Sequence, residues 1–302
     1  MSITLNNVEI EDTFAEAFPM VVGRILVTAK DQKWAEIAGR TATGFASSII
    51  MSPAEAGVEG PIVPSSETPD GRPGVMIQIY HRTKPELKMQ ILTRIGQCIL
   101  TCPTTGAFDG MPSCNRKMRV GDAIRMFGDG FETKDTMNGR KVWRIPVMEG
   151  EFVIESRIGI KTAVAGGNLL IMAKDQDTAL EASEKAVEAI KQLKAVILSF
   201  PGGICRSGSK TGSMKYKLGA STNHPFCPTL RKVVPDSKIP EGVNSVYEIV
   251  FNALDKDLLM QGTAKAIKAI SSVPGVVKIS AVNFGGKLGP VQISLKEAIK
   301  LI

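Results

Sequence analysis

One repeated junction constrains the fold of this chain more than any other feature: Ala29-Lys30-Asp31-Gln32 recurs as Ala173-Lys174-Asp175-Gln176. In both places an apolar stretch of strand character, Val21 to Thr28 and Leu169 to Ala173, runs into the shared word and a helical pattern follows it. The same boundary met twice, once in each half, predicts a duplicated lobe. In the first copy Asp31 caps a helix carrying Trp34, Ile37, Ala38 and Thr41 on one face, and Ser47 to Met51 reads as the next strand. In the second, Asp177 caps a helix with Leu180, Val187 and Ile190, and Ala195 to Leu198 is the strand.

Each copy is followed by a second strand–helix–strand run. In the first half, Val75 to Tyr80 is a strand, Pro85 opens a helix with Leu87, Ile91 and Ile95, and Cys98 to Thr101 returns as a strand. A loop from Pro61 to Gly74, displaying Arg72, precedes it. In the second half, Val246 to Phe251 and Val276 to Val282 flank a helix from Asp255 to Ile270 that turns Leu259, Thr263, Ile267 and Ile270 inward. Between the halves, Val120 to Glu155 has hairpin character: Asn138-Gly139 is a two-residue turn signal between Phe127 to Phe131 and Lys141 to Val147. The expected fold is α+β, with two ferredoxin-like (β-α-β-β-α-β) lobes joined by a β-hairpin insertion. The expected division is 1–150, the N-terminal lobe with the insertion, and 151–302, the C-terminal lobe.

The chain of 302 residues has room for two such lobes, and 22% charged residues against 43% apolar ones argue against disorder. No apolar run reaches the ~20 residues needed to cross a bilayer, and Met1 to Asp12 lacks a signal pattern, so a cytoplasmic protein without membrane attachment is expected. Five cysteines, none in a C-x-x-C pair, and two histidines, His81 and His224, argue against a disulfide framework and a metal site. The net charge of +7 suits small acidic ligands or a solvated basic surface. Nucleic acid is not expected, because the cations are scattered and aromatics make up only 5% of the chain.

The densest concentration of site-like residues runs from Ser199 to Lys210. Gly202, Gly203 and Gly208 stand with Ser207, Ser209, Arg206 and Lys210 behind a buried strand. Glycines allow close backbone approach, and free amides beside cations receive anions or a developing oxyanion; the same composition also makes a plain surface turn. A nucleotide phosphate loop is disfavoured because Ser209 separates Gly208 from Lys210 and Gly212-Ser213-Met214-Lys215 is a poor helix start. Cys205 reads as a small buried filler or as a thiol nucleophile, the filler being favoured. A second glycine turn, Gly285-Gly286-Lys287, closes the last unit. Glu248 is the acid in an unexpected place: strand alternation puts it on the face of Val246 and Val250. If that face is covered, burial raises its pKa and leaves part of it protonated near neutrality, as a general acid requires; on an open edge strand it faces solvent instead.

Longer words carry a resemblance. They include Glu11-Asp12-Thr13-Phe14-Ala15-Glu16-Ala17-Phe18, Pro53-Ala54-Glu55-Ala56-Gly57, Thr68 to Gly74, Arg94-Ile95-Gly96-Gln97-Cys98 and Gly139-Arg140-Lys141-Val142-Trp143. They continue with Met148-Glu149-Gly150-Glu151-Phe152, Ala165-Gly166-Gly167-Asn168, Phe200 to Ile204, Ser207 to Lys210, and Gly285 to Gly289. Over essentially its whole length the chain resembles the formylmethanofuran:tetrahydromethanopterin formyltransferase family. The resemblance implies an enzyme of one-carbon metabolism with no permanently bound cofactor. It would move a formyl group between methanofuran, or a related furan carrier, and N5 of tetrahydromethanopterin as cosubstrates. It also implies a homotetramer with its site at a subunit contact and Glu248 as the catalytic acid. The chemistry of formyl transfer, which needs donors for an oxyanion and anchors for acidic carriers, adds Gly202, Gly203, Ser207, Gly208, Ser209, Lys210, Gly285, Gly286 and Lys287 as expected substrate-binding residues. Two departures stand out: Cys205 and Arg206 occupy positions where the archaeal pattern has small residues, and this chain is basic where those enzymes tend to be acidic. They point to the alternative of a subunit of a hetero-oligomeric bacterial formyltransferase/hydrolase complex. A non-catalytic carrier-binding or scaffold subunit is the rival from another class.

Overall fold

A computed structural model describes residues 3–302. The chain divides into two compact units, one formed by Met20–Ala163 and the other by Met1–Pro19 together with Val164–Ile302. Compactness therefore groups the chain differently from its linear order, because the stretch up to Pro19 goes with the C-terminal half.

Within the first unit, the strand that ends at Thr28 leads into a helix, Gln32–Thr43, then strands Glu55–Val63 and Gly74–His81, a helix Lys84–Arg94, and a strand Gly106–Asp109. The first strand lies between the third and the fourth, and the second pairs with the third, all antiparallel. The second unit repeats this order with the strand that ends at Ala173, then Gln176–Lys191, Val196–Leu198, Ser245–Ala253, Lys256–Ile270 and Val276–Ser280. Both are the split β-α-β arrangement of a ferredoxin-like fold. The shared word has a direct physical meaning. Asp31 and Asp175 both sit in extended backbone, and each carboxylate accepts a hydrogen bond from the amide three residues on, at 3.1 Å from Trp34 and 2.8 Å from Thr178. Asp255 repeats the device toward Leu258 at 2.9 Å.

The structure moves several expected elements. Ser47 to Met51 is a turn, because the Ser52 hydroxyl donates to the Ser48 carbonyl and accepts from the Ser48 amide, taking backbone groups a strand would need. The strand is Glu55–Val63, disguised by Gly60-Pro61, which sit in a bulge between Val58 and Ile62. Cys98 to Thr101 is no strand either: the second helix continues through a wide turn, Ile95–Ile99, so the returning strand starts only at Gly106. Asn138 and Gly139 both have positive φ, 46° and 78°, as a two-residue hairpin turn demands, and the strands they join are Thr133–Met137 and Arg140–Val147. Phe127 to Phe131 instead forms a short helical turn and bend ahead of the hairpin. The hairpin and the strand Gly150–Glu155 extend the first sheet beyond Gly106–Asp109.

Helix faces also differ in part. On Gln32–Thr43 the buried residues are Ala35, Ala38, Gly39 and Ala42, and Ile37 and Thr41 point outward; a Cβ on Gly39 would lie 2.8 Å from Val75, so small residues set the packing distance. Val187 and Ile190 are buried as expected, but Leu180 is exposed and the cap is Asp175, not Asp177. Leu259, Thr263, Ile267 and Ile270 all face inward. Arg72 is half-buried rather than freely displayed, and Asp70 holds its guanidinium at 2.7 Å.

In the second unit, Leu169, Ile171, Ile249 and Phe251 pack against the two helices. The opposite sheet face, with Leu170, Met172 and Val246, is covered by Phe226, Ile239 and Val243 from the long segment 199–244. Asp175→Ala should lower stability by ~1 kcal/mol in chemical denaturation through the lost cap. Asp177→Ala, which removes only a charge from the first turn, should cost under ~0.5 kcal/mol; equal losses would refute the assignment.

Candidate active site

Glu248 lies on the covered face of the strand Ser245–Ala253, opposite Leu170 on one side. On its other side stands Cys205, which forms an isolated antiparallel bridge with it: the Cys205 amide donates to the Glu248 carbonyl at 2.7 Å, and the Glu248 amide donates back at 2.9 Å. The segment after Val196–Leu198 turns through Pro201–Gly203 and returns to the edge of the same strand at this bridge. Three residues on, Gly208 lies against the acid, and a Cβ there would come within 2.9 Å of Glu248 Oε2. A side chain there would displace the end of the Glu248 side chain from this position. By exposed area the residue as a whole is half-buried, but the cover over its carboxyl pushes that group up to about 7.

The duplicated lobe shows that the fold does not require an acid here. Leu170 pairs with Glu248 three residues before Ala173, and the equivalent Leu26, three before Ala29, pairs with Met76. Cys205 is 6% exposed, and its thiol is pushed up by burial first and the Glu248 charge second, with hydrogen bonds from Ser207 opposing both. A raised thiol is a poor nucleophile, so Cys205 acts as filler at the bridge.

The remaining residues of this turn divide. Gly203 has φ 85°, and a Cβ on it would meet Val187 at 2.9 Å, so it serves helix packing; Gly202, with φ 64°, faces open space. The amides of Gly203, Ile204 and Cys205 are all taken by backbone carbonyls. Ser207 is exposed beside Cys205. Ser209 and Lys210 begin a two-stranded hairpin with Ala220–Thr222, and the Gly208 carbonyl accepts from Asn223 at 2.8 Å. Asn223, which sequence reasoning passed over, is buried beside Gly208.

The second glycine turn already holds an anion. The Glu16 carboxylate, 3% exposed, accepts from the amides of Phe284 at 2.9 Å, Leu288 at 3.2 Å and Gly289 at 3.1 Å, and also from Gly286. Burial alone would raise its pKa, but these four amides outweigh burial and hold it below the usual carboxylate range. The backbone of Gly285-Gly286 is thus organised around a side chain of the same chain, and Lys287 projects from it exposed. Glu16 was missed in sequence although it carried the sign that singled out Glu248, an acid among apolar strand residues.

Comparison with known proteins decides the family. Residues 3–147 match the family model for formylmethanofuran-tetrahydromethanopterin formyltransferase, and residues 150–298 match the model described as FTR, proximal lobe. The chain belongs to this formyltransferase family. It is 54% identical to the formylmethanofuran–tetrahydromethanopterin formyltransferase of Methanocaldococcus jannaschii, over 97% of this chain and 98% of the relative. The solved formyltransferase of Methanosarcina barkeri superposes with a TM-score of 0.95 at 49% identity, covering 98% of this chain and 100% of its own. A second solved structure is that of the formyltransferase/hydrolase complex from Methylorubrum extorquens in complex with methylofuran. Its matching chain has a TM-score of 0.94 at 42% identity, with 99% of each chain covered. The resemblance read from the sequence thus extends over both lobes, with archaeal and bacterial formyltransferases alike.

Because the Glu16 pKa is depressed on folding, its contribution to stability is present above the ordinary value of 4.5 and is lost as pH falls through the lower folded value. Glu16→Gln should cost roughly 1–3 kcal/mol at pH 7. The gap to the parent protein should narrow in urea unfolding below pH 4.5; a gap independent of pH would show that the charge is not what the amides bind.

Proposed function

We propose that this chain transfers a formyl group between the amine of a methanofuran-type carrier and N5 of a tetrahydromethanopterin-type carrier, with Glu248 moving the proton. In this reaction one nitrogen forms a bond to the formyl carbon, a tetrahedral intermediate collapses, and the bond to the other nitrogen breaks. The attacking nitrogen gives up a proton and the departing nitrogen gains one, so the transfer is proton-neutral and needs a single group able to do both. The observation that carries this reading is the Glu248 carboxyl, pressed against Gly208 and raised to about 7, where both protonation states are populated near neutrality. The nucleophile belongs to the substrate, so a raised thiol at Cys205 and the lack of any demand for a resident cofactor both agree with it.

The oxyanion of the intermediate is read as facing Ser207 and the Gly208 backbone, since the amides from Gly203 to Cys205 are occupied elsewhere. Lys210 and the Lys287 side chain serve as anchors for substrate carboxylates or phosphate, and Gly202 and Ser209 line the approach. The Gly285-Gly286 backbone is organised around Glu16, so in this turn the Lys287 side chain rather than the glycine amides is read as the group that meets substrate. The halves 1–150 and 151–302 are read as the two lobes of one enzyme.

We read the functional form as a homotetramer in the cytoplasm. Met214, Tyr216 and Leu218 lie exposed on the segment that covers the Glu248 face, an apolar surface suited to a subunit contact beside the site. No described helix is long and apolar enough to cross a membrane. Native mass measurement should give about four times 32.4 kDa. A stable single chain would reject the assembly, and co-purification with hydrolase subunits would replace it by a mixed complex.

Purified protein mixed with formylated furan carrier and reduced pterin should form formyl-pterin, followed by its absorbance, and Glu248→Gln should lower kcat by ~100-fold. Wild-type turnover in that variant would remove the role. In the direction limited by departure of the amine, kcat should fall as pH rises through about 7. Stability supplies an independent check. A carboxyl raised on folding favours the folded state below its ordinary 4.5 and loses that advantage as pH climbs through about 7. At pH 8 the Glu248→Gln protein should therefore be more stable than the parent by roughly 2–3 kcal/mol.

A further inference from the structure

The hairpin of Ser209–Thr211 with Ala220–Thr222 ends on Asn223. Ser209 pairs with Thr222, and one step beyond that pair the Asn223 amide donates to the Gly208 carbonyl at 2.8 Å. On its other side the Asn223 carbonyl accepts from the Phe226 amide at 2.9 Å, so the backbone is fastened in both directions. Gly208 brings this residue to the acid. A Cβ on Gly208 would lie 2.9 Å from Glu248 Oε2 and 4.0 Å from the Asn223 Cβ, so the two side chains flank a space that a single methyl group would fill.

The side chain, unlike the backbone, is left over. Asn223 is 8% exposed, although Thr222 before it is exposed and His224 after it half-buried. It stands at the start of the short helical turn His224–Phe226, where an asparagine ordinarily accepts from the turn's own amides, yet it makes no such bond. Among the described residues its carboxamide has no hydrogen-bond partner. Withholding an amide from both water and protein costs stability, which a partner arriving with the substrate would return. The other donors near the acid are largely committed. The amides of Gly203, Ile204 and Cys205 donate to backbone carbonyls, and Ser207 also bonds the Cys205 thiol through its amide and its hydroxyl.

We propose that Asn223 is a further catalytic residue, whose carboxamide N–H donates to the formyl oxygen and tightens on it as that oxygen becomes the oxyanion of the tetrahedral intermediate. The incoming nitrogen bonds to the formyl carbon and the carbonyl π pair moves onto the oxygen held by Asn223. That pair then re-forms the double bond as the bond to the departing nitrogen breaks. The proton passes from one nitrogen to the other by way of Glu248, so Asn223 neither gains nor loses one. An uncharged amide suits the task, because it adds no charge beside an acid that must take both protonation states. The assignment rests on the formyl transfer proposed above.

Steady-state kinetics of the full-length protein with formylated furan carrier and reduced pterin tests it. Asn223→Ala should lower kcat ~100-fold while KM for each carrier stays within about threefold, since the bond strengthens only in the transition state. Asn223→Asp, which keeps the shape but has no N–H to give, should be no faster than the alanine variant. The fall of kcat as pH rises through about 7 should stay where it is in the parent, because the acid is untouched. A displaced fall would mean that Asn223 acts only through Glu248, and would overturn the assignment. Parental kcat in Asn223→Ala, or a raised KM at unchanged kcat, overturns it too and leaves formyl transfer standing; a parent protein that transfers no formyl group removes both. If the thermal midpoint of Asn223→Ala falls, Asn223→Leu, which keeps the volume, decides, and parental turnover there overturns the role.

Discussion

The antiparallel bridge between Cys205 and Glu248 is the interaction on which the site depends. A ferredoxin-like sheet has helices on one face only, and its other face and outer edge need a cover. In the second unit the segment 199–244 is that cover, and it is fastened to the sheet edge by two backbone hydrogen bonds at the acid itself. The same fastening brings Gly208 against the carboxyl and closes apolar residues over the neighbouring sheet face. Attachment, burial and the raised pKa are therefore one event rather than three.

Two strand acids of this unit show how environment divides one chemistry into opposite roles. Glu16 is buried and Glu248 half-buried, and in each the loss of water around the carboxyl penalises the charged form. Four amides converge on Glu16 and reverse the penalty, leaving a permanent anion that organises a glycine loop. At Glu248 the penalty dominates, leaving a carboxyl balanced between its two forms near neutral pH. The first is architecture and the second is reactive because of what surrounds them, not because of what they are.

Much of the plan was legible residue by residue. The shared word marked two equivalent strand-to-helix junctions, and its aspartate caps both helices, although the sequence pattern of the second copy points to Asp177, two residues on, as the cap. The helix Lys256–Ile270 was readable to its inward face, since its apolar spacing is unbroken. Expectation failed where short apolar runs carried no local arbiter. Ser47 to Met51 and Cys98 to Thr101 look like strands, but side-chain hydrogen bonds and a continuing helix claimed them. Gly60-Pro61 hid a real strand because a bulge absorbs residues that elsewhere mark a loop.

From the chain alone came the duplicated β-α-β-β-α-β order, the first helix cap at Asp31, the family resemblance and the suspicion attached to Glu248, all of which rest on neighbours in sequence or on two-residue alternation along a strand. Tertiary structure alone decided which anion the second glycine turn would hold, that Cys205 is filler, and that Asn223 comes to stand beside Glu248 at Gly208. Each of these depends on groups far apart along the chain meeting in space, and burial and electrostatic coupling come into being only at such meetings.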